Sequence, residues 1–334
     1  MTSPAANKAL IIGPAWVGDM VMAHTLVKLL ANEYSELHMA APRATVSLAD
    51  RMSEVSQTHL LDFPHGGLLW QQRRDAGQQL AYQGYAAAFV LPNSWKSALV
   101  PYFAGVPKRV GWHGEARFLL LNDRRRLDKS AYELMIERFM ALAHSEGALP
   151  SKPYPQPKLE VDAANRDRLI ADLKLQTTSA VALCPGAEFG AAKKWPAEHY
   201  ASLARTLLSQ GKSVWLMGSP NDQVDCSAIA ELAPGSINLA GRTQLLDAVD
   251  LLSVCEQVAC NDSGLMHIAC ALGVPTVGVF GSTSPEFTPP LGDNAQTVQL
   301  ELDCRPCFQR ECPLGHLNCL RQLQPDQVLA KLVL

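Results

Sequence analysis

The sequence predicts an α/β protein made of two doubly wound domains, each built on a parallel sheet. Three observations carry this. The 334 residues exceed what one compact domain usually holds. Short continuous apolar runs alternate with segments of helical spacing, as expected of strands buried on both faces. Pro150, Pro153, Pro155 and Pro157 interrupt that alternation once, because proline at this density continues neither a helix nor a central strand.

The elements follow in order. Residues 8–12 (KALII) form a buried-strand run ending in Gly13, and residues 20–31 have helical spacing. Residues 37–41 and 85–91 read as strands, 94–104 as a helix, and 130–147 as an amphipathic helix. The proline segment is the linker between domains 1–155 and 156–334. Beyond it, residues 180–184, 213–217, 257–260 and 276–280 read as strands. Residues 197–210 and 263–272 read as helices. A last helix over 325–334 is expected to pack back across the domain junction. Ligands of such folds bind at the carboxyl ends of the strands, here in a cleft between the domains.

Composition narrows the class. Hydrophobic residues make up 48% and charged residues 18%, which fits a globular chain and excludes disorder. Residues 1–155 hold 16 Lys and Arg against 13 Asp and Glu, and the rest is net acidic. A basic first half suits an anionic partner, although ordinary surface scatter gives the same balance. The first residues lack the charged start of a secretory signal, and no apolar stretch is long enough to span a bilayer. Five of nine cysteines lie on apolar segments and four cluster near the C-terminus. A cytosolic setting would keep such thiols reduced.

Four strand ends carry chemistry. Gly13-Pro-Ala-Trp-Val-Gly18-Asp19 contains neither a dinucleotide fingerprint nor a P-loop. Asp19 is either a first-turn acid of the helix or a general base for a hydroxyl nucleophile. In Cys184-Pro-Gly-Ala-Glu188-Phe189-Gly190-Ala-Ala-Lys193-Lys194-Trp195, the lysines suit phosphate oxygens or form a solvated pair. Gly218 and Asp222 follow another strand. There a carboxylate either holds ribose hydroxyls or caps a turn. Asn261-Asp262-Ser263-Gly264-Leu265-Met-His267 opens an apolar helix, whose first N–H groups suit a diphosphate. Asp262 is itself anionic and fits better as a partner of Lys193 or His267. The plain structural reading makes Asp262 and Ser263 caps and His267 a core residue.

Taken together, these segments resemble the ADP-heptose:lipopolysaccharide heptosyltransferases of glycosyltransferase family 9. The stretches GPAWVGDMVM, CPGAEFGAAKKWP, NLAGRTQL and NDSGLMHIACALGVPTVGVFG look like the type II branch. The resemblance covers nearly the whole chain and implies a GT-B fold of two Rossmann-like domains. It implies ADP-L-glycero-D-manno-heptose as donor, held by the C-terminal domain, and the first inner-core heptose on Kdo2-lipid A as acceptor, held by the N-terminal domain. Transfer would invert the anomeric centre without a metal or other cofactor. An Asp-x-Asp motif is missing from the sequence. Residue by residue, Asp19 matches the expected base and Lys193 the lysine that stabilises the leaving diphosphate. Asp262 and His267 match the donor-site motif, and Asp222 matches an acidic ribose contact. Glu188, Phe189 and Gly190 stand where the type I branch has threonines.

Donor contacts are therefore expected from Glu188, Phe189, Lys194, Gly218, Asp222, Asp262, Ser263, Gly264, Leu265 and His267. Acceptor contacts are expected from Gly18, Lys96, Arg109 and Arg117, with the Arg124-Arg125-Arg126 run a further candidate. The enzyme would act in the cytoplasm, peripherally at the inner face of the inner membrane, with no nucleic-acid partner. Cys304, Cys307, Cys312 and Cys319, with His316 among them, could hold a structural zinc ion, although their spacing is not that of a paired ribbon. A family member with a different core acceptor is the nearest rival reading. A Rossmann-type oxidoreductase and a non-catalytic nucleotide-sugar binder are the others.

Overall fold

The computed structural model describes residues 7–64 and 66–332. The chain divides into two units, Met1–Gln156 and Pro157–Leu334, and the division falls inside the proline segment.

In the first unit the apolar runs become strands because they are buried on both faces. β1 (Lys8–Ile12) and α1 (Val17–Leu30) are followed by β2 (Glu36–Ala41), α2 (Val46–Ala49), β3 (Val55–Leu60) and α3 (Trp70–Ala81). Next come β4 (Ala87–Val90), α4 (Leu99–Phe103), β5 (Lys108–Trp112), β6 (Asp123–Arg125) and α5 (Met135–Met140). Among the described residues the strands make one six-stranded parallel sheet, in the order β3-β2-β1-β4-β5-β6. Leu10, Ile12, Ala88 and Val90 sit in its core with Leu99 and Val100.

The helix expected over 130–147 is shorter than its apolar spacing suggested. Asp128 Oδ1 accepts the Ser130 N–H at 2.9 Å, holding the start in a turn, and the far end turns through Gly147 at φ +81°. Only Met135–Met140 is helical, and it packs on α1. Glycine at position 13 also answers to packing. A Cβ there would lie 2.7 Å from Met20 Cε and 2.9 Å from Met39 Sδ. The close approach is to the protein's own side chains.

The second unit repeats the plan. Its elements are α6 (Ala163–Leu173), β7 (Ala180–Cys184), α7 (Ala197–Ser209), β8 (Ser213–Leu216), α8 (Gln223–Leu232) and β9 (Ile237–Asn238). They continue with α9 (Leu245–Leu252), β10 (Gln257–Asn261), α10 (Gly264–Ala271), β11 (Thr276–Val279) and β12 (Ala295–Val298). α11 (Asn318–Arg321) and α12 (Pro325–Leu329) close the chain. The sheet order is β12-β11-β10-β7-β8-β9, again parallel among the described strands. The helix expected over 325–334 reaches positions 333 and 334, which lie outside the described residues. Its described part packs on α7, and Val328 and Leu332 join the core of Trp195, Tyr200 and Leu207. No helix among the described residues is long and apolar enough to cross a membrane.

Each sheet changes winding direction once, between β1 and β4 in the first and between β7 and β10 in the second. The carboxyl ends of those strands are where a doubly wound fold binds its ligand.

Candidate active site

The clearest constellation stands at the second switch point. β7 runs into a loop and a 3-10 turn, Ala191–Lys193, while Asp262 directly follows β10. Lys193 Nζ donates to Asp262 Oδ2 at 2.6 Å and to the Asp262 carbonyl at 3.3 Å. The Lys193 side chain is 15% exposed and that of Asp262 4%, so the pair is nearly dry. The Phe189 ring centroid lies 5.0 Å from the same Nζ, within cation–π range. Thr283 Oγ1 donates to Asp262 Oδ2 at 2.6 Å. One carboxylate oxygen thus serves two donors.

Local sequence explains why the turn sits there. Gly190 adopts φ 152°, and a Cβ at that position would lie 2.5 Å from the Arg310 carbonyl oxygen. The same carbonyl accepts the Ala192 N–H at 3.0 Å. Trp195 anchors the far side of the turn in the core, where its Nε1–H donates to the Leu323 carbonyl at 2.8 Å. Asn261 ties the two strand ends together. Its Oδ1 accepts from Trp195 N–H and the Tyr200 hydroxyl, and its Nδ2 donates to the Pro185 carbonyl at 2.6 Å.

α10 starts immediately after Asp262. Ser263 is its N-cap residue but makes no side-chain cap hydrogen bond, so that hydroxyl does not cover the N–H groups of the first turn. Those groups, on Gly264 and Leu265 among others, carry the partial positive charge of a helix start. His267 is buried in the same turn. Burial pushes its pKa down to about 4, against the pull of Asp262. The ring is therefore neutral at pH 7, and its Nδ1 has no hydrogen-bond partner among the described residues. Asp262 makes its short contacts with Lys193 and Thr283.

Other predicted donor residues have different neighbours. Lys194 points away from Lys193 and pairs with Asp225 Oδ2 at 2.7 Å. That partner raises its pKa even though burial works the other way. Asp222 acts as a cap: its Oδ2 accepts from Ser219 N–H at 2.9 Å and Ser219 Oγ–H at 2.7 Å. Gly186 and Gly218 leave room for it, since a Cβ at either would meet Asp222 within 2.8 Å. Glu188 is exposed.

At the first switch point, Gly18 and Asp19 lie in the first turn of α1, and Asp19 is half-buried. The expected acceptor arginines are engaged by the protein's own backbone and side chains. Arg117 is fully buried and donates to the carbonyls of Pro92 and Trp112 and to Asn93 Oδ1. Burial pulls its pKa down to about 10. Arg109 donates to the Leu120 and Val106 carbonyls, and Arg125 is buried against Asp123. Their guanidinium groups fix loops and strand ends, because buried carbonyls need donors. Lys96 remains half-exposed.

The four clustered cysteines are free thiols around one small cavity, with Ala192, Ser282, Arg305 and His316 in its wall. Among the described residues, no three His, Cys, Asp or Glu side chains form a metal-holding group. The Cys312 sulfur accepts the Leu317 N–H, and His316 Nδ1 accepts the Asn318 N–H. Sequence reasoning missed Asn261 as a staple, and it missed Thr283 and Arg305 altogether. The only available signal was the polar Ser282-Thr283-Ser284 run after the strand at 276–280.

Comparison with known proteins gives this geometry a family. Residues 73–318 match the model of "Glycosyltransferase family 9 (heptosyltransferase)". The chain belongs to glycosyltransferase family 9. Lipopolysaccharide heptosyltransferase 2 of Salmonella typhimurium is 40% identical over 338 residues, 97% of each chain. Lipooligosaccharide heptosyltransferase 2 of Haemophilus influenzae is 40% identical over 339 residues, again 97% of each. The solved structure of E. coli ADP-heptose LPS heptosyltransferase II superposes with a TM-score of 0.87 at 39% identity, covering 97% of each chain. In this family 9 chain the Lys193–Asp262 pair and the α10 start stand together at one strand-end rim.

Proposed function

We infer that this heptosyltransferase moves L-glycero-D-manno-heptose from ADP-heptose to the first heptose of the lipopolysaccharide inner core, with inversion and without a metal or other cofactor. The observation that carries the donor half is the nearly dry Lys193–Asp262 pair beside the uncapped start of α10. A cation and a helix N-terminus suit a diphosphate. The acceptor half rests on Asp19, a carboxylate at the strand-end rim of the first unit.

Asp19 takes the proton of an acceptor hydroxyl. The hydroxyl oxygen bonds to the anomeric carbon, the bond from that carbon to the β-phosphate oxygen breaks, and its electron pair leaves with ADP. Lys193 and the N–H groups of the α10 first turn meet the growing charge, and His267 stays neutral beside them. Such preorganised donors are each typically worth about 3–4 kcal/mol. Phosphate is a good leaving group, so a second carboxylate acid is unnecessary. The acceptor is lipid-linked, so the enzyme works peripherally at the inner face of the inner membrane.

The test is Asp19→Asn, assayed for ADP release with a one-heptose acceptor and for ADP binding by calorimetry. Binding should persist while turnover falls on the order of 100-fold or more. Near-normal turnover would place the base elsewhere. A panel of ADP-heptose, ADP-glucose and UDP-sugars against truncated core acceptors tests the substrate assignment.

A further inference from the structure

Asp262 Oδ2 is shared between Lys193 Nζ and Thr283 Oγ1, each at 2.6 Å. Thr283 is 6% exposed and lies in the loop after β11, far in sequence from both partners. Its own carbonyl accepts from Arg305 at 3.0 Å. Arg305 also donates to the Gly281 carbonyl at 2.5 Å, the Leu300 carbonyl at 2.6 Å and Gln299 Oε1 at 3.1 Å. The loop that carries Arg305 reaches the lysine turn directly as well. Arg310 accepts the Ala192 N–H, Phe308 N–H donates to the Ser282 carbonyl at 2.8 Å, and Ser282 N–H donates to the Ala192 carbonyl.

We propose that Thr283 is a positioning residue for transfer, fixing the Asp262 carboxylate so that Lys193 meets the leaving diphosphate, with Arg305 holding Thr283 in place. The proposal rests on the reading of Lys193 given above. The physical case is one of rotation. A carboxylate with a single lysine partner can turn about its χ2 bond and take a flexible ammonium with it. A second donor on the same oxygen, delivered from rigid backbone, removes that freedom. Arg305 supplies the rigidity, because four acceptors from two separate segments, 281–283 and 299–300, converge on one planar group. Thr283 touches neither substrate in this scheme. Its hydroxyl acts through Asp262 and then Lys193.

The experiment is a double-mutant cycle on the full chain with Thr283→Val and Lys193→Ala, and with Thr283→Ser as the conservative variant. Thr283→Val keeps the branched shape and removes the hydroxyl. It should lower kcat roughly tenfold, the loss of one hydrogen bond to a charged group. The acceptor KM should hold, and Tm should fall by only a few degrees. Thr283→Ser should recover most of the rate. In the Lys193→Ala background, Thr283→Val should cost nothing further. Equal fold-losses in both backgrounds, a normal rate for Thr283→Val, or no recovery with Ser would each overturn the proposal. A normal rate for Lys193→Ala would overturn the reading of Lys193 itself, a separate and visible outcome.

Discussion

The two units share a strand order but spend their cations differently. At the rim of the second sheet Lys193 faces Asp262, its aromatic neighbour and the start of a helix. In the first unit Arg109, Arg117 and Arg125 are used to hold loops and strand ends, through backbone carbonyls for the first two and mainly through Asp123 for the third. Cationic side chains therefore meet a carboxylate beside a helix start at one rim and hold loops and strand ends in the first unit. Charge counts by domain report neither role. What separates them is the partner: a carboxylate at a switch point for Lys193, and backbone carbonyls or the strand residue Asp123 for the arginines.

The comparison can be broken most severely at the second rim. Asp262→Asn leaves Lys193 without its counter-charge and should lower kcat roughly 100-fold in a coupled ADP-release assay, the scale seen when one preorganised group is lost. If the rate survives, the ion pair is structural, like the arginines of the other unit. Next in size, Arg117→Ala strips donors from two carbonyls and one amide and opens a cavity. It should destabilise the first unit by about 3 kcal/mol in urea unfolding. A loss of acceptor affinity with unchanged stability would instead return Arg117 to the substrate.

Acid separates the units more gently. Burial lowers the pKa of His24, His38 and His59 in the first unit, His59 to about 4. In the second unit His267 is lowered likewise, to about 4. A histidine with a folded pKa below its unfolded value binds more protons unfolded, so its stabilising contribution is complete above 6.5 and fades as pH falls toward 4. Three such groups against one predict that the first unit melts earlier as pH drops from 7 to 4.5, resolvable by calorimetry with fluorescence. The smallest effect is Lys96→Glu, which should raise the acceptor KM a few-fold, leave the donor KM alone and change stability by less than about 0.5 kcal/mol.

The parallel sheets were legible because central strands such as 8–12, 180–184 and 276–280 are continuous apolar runs. The edges were not. β3 (VSQTHL) is half-exposed, and β5 and β6 begin or consist of charged residues, so no apolar run marks them. The helices 70–81, 163–173 and 223–232 carry weak apolar stripes and went unassigned. In the site, Lys193, Asp262 and His267 stood out because they lie in the segments that leave the ends of apolar strands. Thr283 and Arg305 did not, since their role depends on contacts between segments 21 and 22 residues apart. Arg117 carried no mark of its burial in a basic half.

The cysteine distribution gives the chemist a handle. Six thiols lie in the second unit's interior, and burial raises their pKa values, those of Cys255 and Cys270 to about 12. Cys304, Cys307 and Cys312 are partly open to solvent, and N–H donors lower the pKa of Cys312. Mild maleimide labelling at neutral pH would therefore dress this loop before the interior. A fluorophore placed there would sit on the segment whose Arg310 carbonyl holds the Ala191–Lys193 turn.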